Sequence, residues 1–187
     1  MFVIRAVDLK KTLWKNGSGF SSLVIAHPHG SSVTGFDWRV SVAEINSDGE
    51  FSQFPSCDRA LVLLNPGGVI LNGEKIEPLT IVRFPGEITS RAELTGEFAR
   101  DFGVIWKRDL YKVDISIVGS SEHAKVEKHL SELRETDPRG ARLIFQMSTG
   151  DTFVSESKPD DEENRDAQSR FSSSSVSTLI LVSIRPA

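Results

Sequence analysis

From Phe36 to Ala43 the chain alternates strictly between two kinds of residue. Phe36, Trp38, Val40 and Val42 share one parity, and Asp37, Arg39, Ser41 and Ala43 share the other. A period of two with aromatic and β-branched residues predicts a half-buried strand, and the three-and-four spacing of a helix is absent. Asn46-Ser47-Asp48-Gly49 then breaks the pattern, because these residue types accept the backbone angles of a tight turn. Phe51 and Phe54 follow in a loop closed by Pro55. Asp58-Arg59 leads into the apolar run Ala60 to Leu64, a buried strand ending at Asn65-Pro66-Gly67-Gly68.

The same punctuation runs along most of the chain. Short strands are predicted at Phe2–Val7, Ser21–Ala26, Val69–Leu71, Leu79–Phe84, Ala92–Leu94, Gly103–Lys107, Val113–Val118, Leu143–Met147 and Thr178–Ile184. Asn72-Gly73 and Pro85-Gly86 are turn signals between them. Many short strands with a turn every ten residues or so predict a sandwich or barrel. One helix is predicted from Glu122 to Arg134, with Val126, Leu130 and Leu133 on one stripe and Ser120 or Ser121 as its cap. Residues 156–175 are acidic and then serine-rich, too poor in apolar side chains to offset their ordering entropy, and are expected to form a mobile loop. The remainder is expected to be a single domain spanning residues 1–187.

Composition narrows the function classes. A net charge of −4 gives no general attraction for nucleic acid or anionic membrane. No apolar run approaches the roughly 20 residues of a membrane span. The opening Met1-Phe2-Val3-Ile4-Arg5 lacks the pattern of a secretory signal. Cys57 is the sole cysteine, which leaves no intramolecular disulfide and suits the cytoplasm. Edge strands of such a fold offer a route to a homodimer.

Candidate chemistry gathers around the alternating strand. Arg39 lies on the opposite face from Trp38, so one of the two faces the interior. An interior guanidinium suits bidentate binding of a carboxylate, or else it pairs internally with Asp37, Glu44 or Asp58. Arg59 has the same two readings, with Asp58 and Asp101 as internal partners, and the structural one is favoured. Trp14, Phe51 and Phe54 can wall a small-molecule pocket, and Asn16 can donate its amide to a ligand or satisfy its own turn. His27-Pro28-His29 mimics a metal-binding pair, but the proline places it in a loop and no acidic ligand follows closely, so no metal and no cofactor is expected. Cys57 has no activating neighbour other than Arg59, and no catalytic residue is assigned.

These motifs, in their order and spacing, resemble the HutD/Ves family. The resemblance rests on Trp14-Lys15-Asn16-Gly17-Ser18-Gly19, Phe36 to Glu44, Asp48 to Pro55 and Asp58-Arg59. Phe84-Pro85-Gly86-Glu87 and Asp101-Phe102-Gly103-Val104-Ile105 with Lys107-Arg108 extend it, so that it covers roughly residues 1–118 clearly. It implies an all-β, cupin-like (RmlC-type) β-barrel with two cupin-like halves. It also implies a binder of a small anionic metabolite of the N-formylglutamate kind, restraining histidine utilisation or acting in a stress response. The corresponding ligand set is Trp14, Asn16, Arg39, Phe51, Phe54, Arg59 and Asp101. A cupin enzyme acting on a small carboxylate, metal-dependent or isomerase-like, is the alternative. The family pattern has an acidic residue where Leu23 stands, an asparagine where Gly103 stands and a glycine where Ser56 stands.

Overall fold

The computed structural model describes residues 2–65, 68–119, 122–131, 139–155 and 178–187. Among the described residues, fifteen strands and one α-helix fall in two compact units, residues 9–110 and residues 1–8 with 111–187. The ladders make three open sheets, so the architecture is a cupin-like β-sandwich. The predicted mobile loop at 156–175 lies outside the described residues.

The unit at 9–110 consists of two sheets. The larger contains β2 (Lys11–Leu13), β3 (Gly19–His27), β4 (Trp38–Ile45), β6 (Cys57–Leu63), β9 (Ile81–Pro85) and β11 (Ala99–Lys107), in the order β2-β3-β4-β11-β6-β9. The smaller contains β5 (Gly49–Glu50), β7 (Val69–Leu71), β8 (Glu74–Ile76) and β10 (Arg91–Leu94), in the order β5-β10-β7-β8. Ile45, Leu61, Leu63 and Ala99 from the first pack against Val69, Leu71, Ile76 and Ala92 from the second. This inner layer is what holds the two sheets together, since apolar area removed from water contributes about 25 cal/mol per Å².

Register decides which side chains join that layer. β11 lies between β4 and β6, with Gly103 opposite Ser41 on one side and Leu61 on the other. Side chains directly opposite one another leave a sheet on the same face. The odd-numbered residues of all three strands therefore face the smaller sheet. Trp38, Val40, Phe102, Val104 and Val62 take the other face and are also fully buried. The question left open between Trp38 and Arg39 is settled in favour of Arg39 as the inward residue.

The second unit is a sheet of β1 (Phe2–Ile4), β12 (Tyr111–Val118), β13 (Ala141–Gln146), β14 (Thr152–Ser155) and β15 (Leu179–Pro186), in the order β1-β14-β13-β15-β12. Helix α1 (His123–Ser131) sets Val126 against Val118, Ile144, Phe153, Leu179 and Leu181. The predicted serine caps lie outside the described residues. Glu122, just before the helix, accepts the Gly119 N–H through Oε2 at 3.1 Å and so fastens the turn that leads into the helix. The first strand is shorter than predicted, because Ala6–Asp8 turns into a 3-10 helix whose Ala6 N–H donates to Asp151 Oδ1 at 2.9 Å.

Turns follow the residue chemistry. Asn72 and Gly73 both have positive φ, 53° and 84°, and join β7 to β8 as a two-residue hairpin. Ser56 also has positive φ, 63°, although it carries a Cβ. A left-handed conformation costs a side-chain-bearing residue about 1 kcal/mol. Ser56→Gly should therefore raise stability by about 0.5–1 kcal/mol, read as a higher urea midpoint at constant slope; an unchanged or lower midpoint would show that the Ser56 side chain compensates the strain.

Candidate functional site

The ladder through β11 assembles the candidate site. Ile105 is opposite Arg39 on β4 and Arg59 on β6, and Arg59 is in turn opposite Phe84 on β9. Two arginines thus stand on one face, separated by one strand, with Cα atoms roughly 10 Å apart by ordinary strand spacing. Four residues back along β11, Asp101 leaves the sheet on the same face. Between them lie Gly103 and Ser41, the small positions of the layer. A Cβ at residue 103 would meet Asp101 Oδ1 at 3.3 Å, so the carboxyl group leans along the strand over the glycine, towards the arginines.

Arg39 lacks the internal partner that an ion-pair role requires. Asp37 is held by Lys107 at 2.8 Å and Glu44 by Lys11 at 3.2 Å. Asp58 is held by Arg108 at 3.1 Å, and the same guanidinium bonds Glu87 and the Cys57 carbonyl. All three carboxylates considered for Arg39 are therefore engaged elsewhere. Its Nε is buried and without a hydrogen-bond partner, and its guanidinium carbon lies 5.7 Å from the Phe36 ring centroid. Burial lowers its pKa, but an arginine remains charged.

Arg59 is held by rings. Its guanidinium carbon lies 5.0 Å from the Phe51 centroid, 5.1 Å from Phe84 and 5.6 Å from Phe54. Such contacts stabilise a cation by about 0.5–2 kcal/mol each where water is excluded. Nη1 donates to the Ser52 carbonyl at 3.0 Å, which ties the loop after β5 to this strand. Burial pushes Arg59 down to about 10; Asp101 opposes that shift and the neighbouring Arg39 reinforces it. Neither arginine forms an ion pair among the described residues.

Asp101 is 7% exposed and forms no ion pair among the described residues. It is the polar member of a cavity of about 10 Å³ lined by Ile45, Phe51, Leu61, Leu63 and Val69. That volume is close to what one water requires. Burial pushes the Asp101 carboxyl up to about 6, against the pull of Arg59.

The other sequence-predicted residues divide between wall and frame. Phe51 is buried and meets Trp14 edge to face at 5.9 Å. Trp14 donates its indole N–H to Ser21 Oγ at 2.7 Å. Phe54 packs on Phe36 at 5.6 Å. Asn16 is committed to its own turn. Its Oδ1 accepts from the Ser18 N–H and hydroxyl, and its Nδ2 donates to the Glu50 carbonyl at 3.3 Å. Cys57 sits in a core cluster with Ala26, Phe36 and Ile105, where burial raises its thiol pKa and disfavours the reactive thiolate. His27 stacks on Trp38 at 5.7 Å. Among the described residues, no group of three or more His, Cys, Asp or Glu is arranged to hold a metal ion. Ser41 and Gly103 carry no local sequence signal as a pair; the register places them together.

The fold and this face define a cupin-like protein with a cationic, ring-walled patch on the inside of its larger sheet. A family model for HutD matches residues 6–170, and the chain belongs to the HutD family. It is 34% identical over 122 residues to protein Ves of Cronobacter sakazakii, covering 59% of this chain and 64% of that one. It is 33% identical over 115 residues to an uncharacterized 21.2 kDa protein in the hutC 3′ region of Pseudomonas putida, covering 59% of this chain and 60% of that one. The match thus spans about three-fifths of the length of these curated relatives. The structure of HutD from Pseudomonas fluorescens SBW25, in a formate condition, superposes with a TM-score of 0.71 over 99% of this chain and 98% of that one, at 19% identity. At that identity the likeness is one of fold.

The Asp101 shift has a measurable consequence. The folded protein holds this proton more tightly than the unfolded chain, whose carboxyl titrates near 3.8. The resulting stabilisation is present below about pH 4 and is lost as pH rises to about 6, by about 3 kcal/mol in all. Asp101→Asn should gain that much relative to the parent between pH 4 and pH 7 in urea titrations; parallel pH profiles would show that Asp101 titrates normally.

Proposed function

We propose that this protein is a binding module for a small carboxylate metabolite. The carrying observation is the buried, unpartnered Nε of Arg39, standing beside an arginine that also lacks an ion pair. A buried polar group without a hydrogen bond costs about 1–3 kcal/mol, and more when charged. A carboxylate supplies what is missing, since its two oxygens match the planar guanidinium fork. Arg39 is then the anchor. Arg59 is the second donor, exchanging the Ser52 carbonyl for a ligand oxygen. Phe51, Phe54, Phe84 and Phe36 form the walls.

The 10 Å³ cavity is too small for such a molecule. Entry therefore requires the loop at 51–56 to lift, and this loop carries both Phe51 and Phe54. Gln53 Nε2 bonds Thr89 Oγ1 at 2.7 Å and the Phe54 N–H bonds the Gly86 carbonyl at 2.8 Å, so these contacts must part or move with it. The position of the Pseudomonas putida relative in the hutC 3′ region supports a role in restraining histidine utilisation. The ligand would then report metabolic state, and the N-formylglutamate kind of molecule fits two arginines with its two carboxylates.

Thermal-shift titration with formylglutamate, glutamate, urocanate, formate and sugar acids tests this reading. A ligand of the folded state stabilises it by about 2.7 kcal/mol at a hundredfold excess over its Kd. Arg39→Ala should abolish the shift while leaving the melting temperature of the free protein unchanged or higher, because a half-buried cation with an orphaned Nε is removed. Loss of the fold in Arg39→Ala would point to a structural guanidinium instead, and no shift with any carboxylate would sink the binding role.

A further inference from the structure

Besides Lys107, which Asp37 engages, the inner face of these strands carries three charged groups, two guanidinium groups and one carboxyl, and none of the three forms an ion pair among the described residues. The described ladders put Arg39, Arg59 and Asp101 on one face of three neighbouring strands. Asp101 is more than nine-tenths buried and lines the cavity. It lies four residues, or about 13 Å of strand, from the arginine row. Its carboxyl oxygen leans into that interval over Gly103, where any side chain would crowd it.

An unpaired buried charge is costly, and Asp101 carries that cost in the free protein, so a ligand that brings a cation beside it relieves the cost while one that brings only anions adds repulsion. A plain dicarboxylate satisfies the arginines but brings its second oxygen pair and carbon chain past an anionic Asp101 with nothing to offer it. The face reads plus, plus, minus, and the complementary molecule reads minus, minus, plus. Resting on the carboxylate-binding reading and narrowing it, we propose that Asp101 is a specificity residue that selects ligands bearing an ammonium group between or beside two carboxylates, so that the ligand class is the acidic amino acids, the free amine being favoured over its neutral N-formyl amide.

Burial supports this assignment. It holds the carboxyl near the point of protonation, and a cation brought beside it restores the charged form. Gly103 supports it as well, because the missing side chain is what gives the carboxyl its position.

L-glutamate and glutarate differ only in the ammonium group, so they isolate the Asp101 contact. Isothermal titration of the full chain at pH 7.5 should give at least tenfold tighter binding of glutamate. Asp101→Asn should weaken glutamate at least tenfold while leaving glutarate unchanged or tighter. Gly103→Ala, which displaces the carboxyl without removing it, should reduce the preference in the same direction. Equal or tighter binding of glutarate by the parent protein overturns the proposal and leaves carboxylate binding intact. A preference that persists in Asp101→Asn overturns it too. If the parent binds neither compound, and no carboxylate of the thermal-shift panel stabilises it, the carboxylate-binding reading fails and this proposal fails with it; if formylglutamate or another ammonium-free carboxylate of the panel binds while glutamate does not, this proposal fails alone.

Discussion

Everything at the inner face depends on the register of β11 between its two neighbours. Eight residues pair with β4 and seven with β6, and the side-chain period is two. A slip of one residue on either side would carry a whole row to the opposite face. The apolar residues Ile45, Leu61, Leu63 and Ala99 pin the register, because burying them against the smaller sheet is worth more than any slipped alternative. Arg39, Arg59 and Asp101 occupy the same parity as these residues. The sandwich core therefore places the charged groups, and the chain keeps them inside at the cost of their hydration.

That cost is unevenly relieved. Arg59 is compensated by three aromatic rings and a carbonyl, so it can remain charged and buried without a carboxylate in contact. Arg39 has one ring and an orphaned Nε. Nearby acids are withheld from both, since Lys107, Lys11 and Arg108 hold Asp37, Glu44 and Asp58. Arg108 also bridges Asp58 and Glu87, and so fastens the start of β6 to the turn after β9. One arginine works as a structural staple on the outer parity while two on the inner parity stay available.

How much of this could be read beforehand follows from which signals are local. The alternation from Phe36 to Ala43 and the run from Ala60 to Leu64 defined β4 and β6 within a few residues, because burial on one or both faces writes itself into the order of residue types. The strands at Lys11–Leu13, Gly49–Glu50, Glu74–Ile76 and Thr152–Ser155 left no such trace. They have two to four residues, and the first is exposed throughout. Family motifs brought Arg39, Arg59, Asp101 and the phenylalanines into one candidate set. The sequence could not decide whether Arg39 or Trp38 faced inward, since both parities of that strand are largely buried. Nor could it show that Asn16 is engaged by Glu50, a carbonyl 34 residues away. Gly103 registered only as a missing amide; its consequence for Asp101 exists only in three dimensions.

The distribution of charge between inside and outside sets how the protein meets solutes of different size. The chain as a whole is anionic, at −4, while the charged groups of the inner face without an ion pair among the described residues are two cations and one acid. At physiological ionic strength, fields fade over about 8 Å. A long polyanion, spread over many such lengths, experiences the net negative charge of the chain. A small anion that enters the sandwich comes within range of the guanidinium groups and of Asp101. The sign of the charge thus reverses between the chain as a whole and the unpaired groups of its inner face.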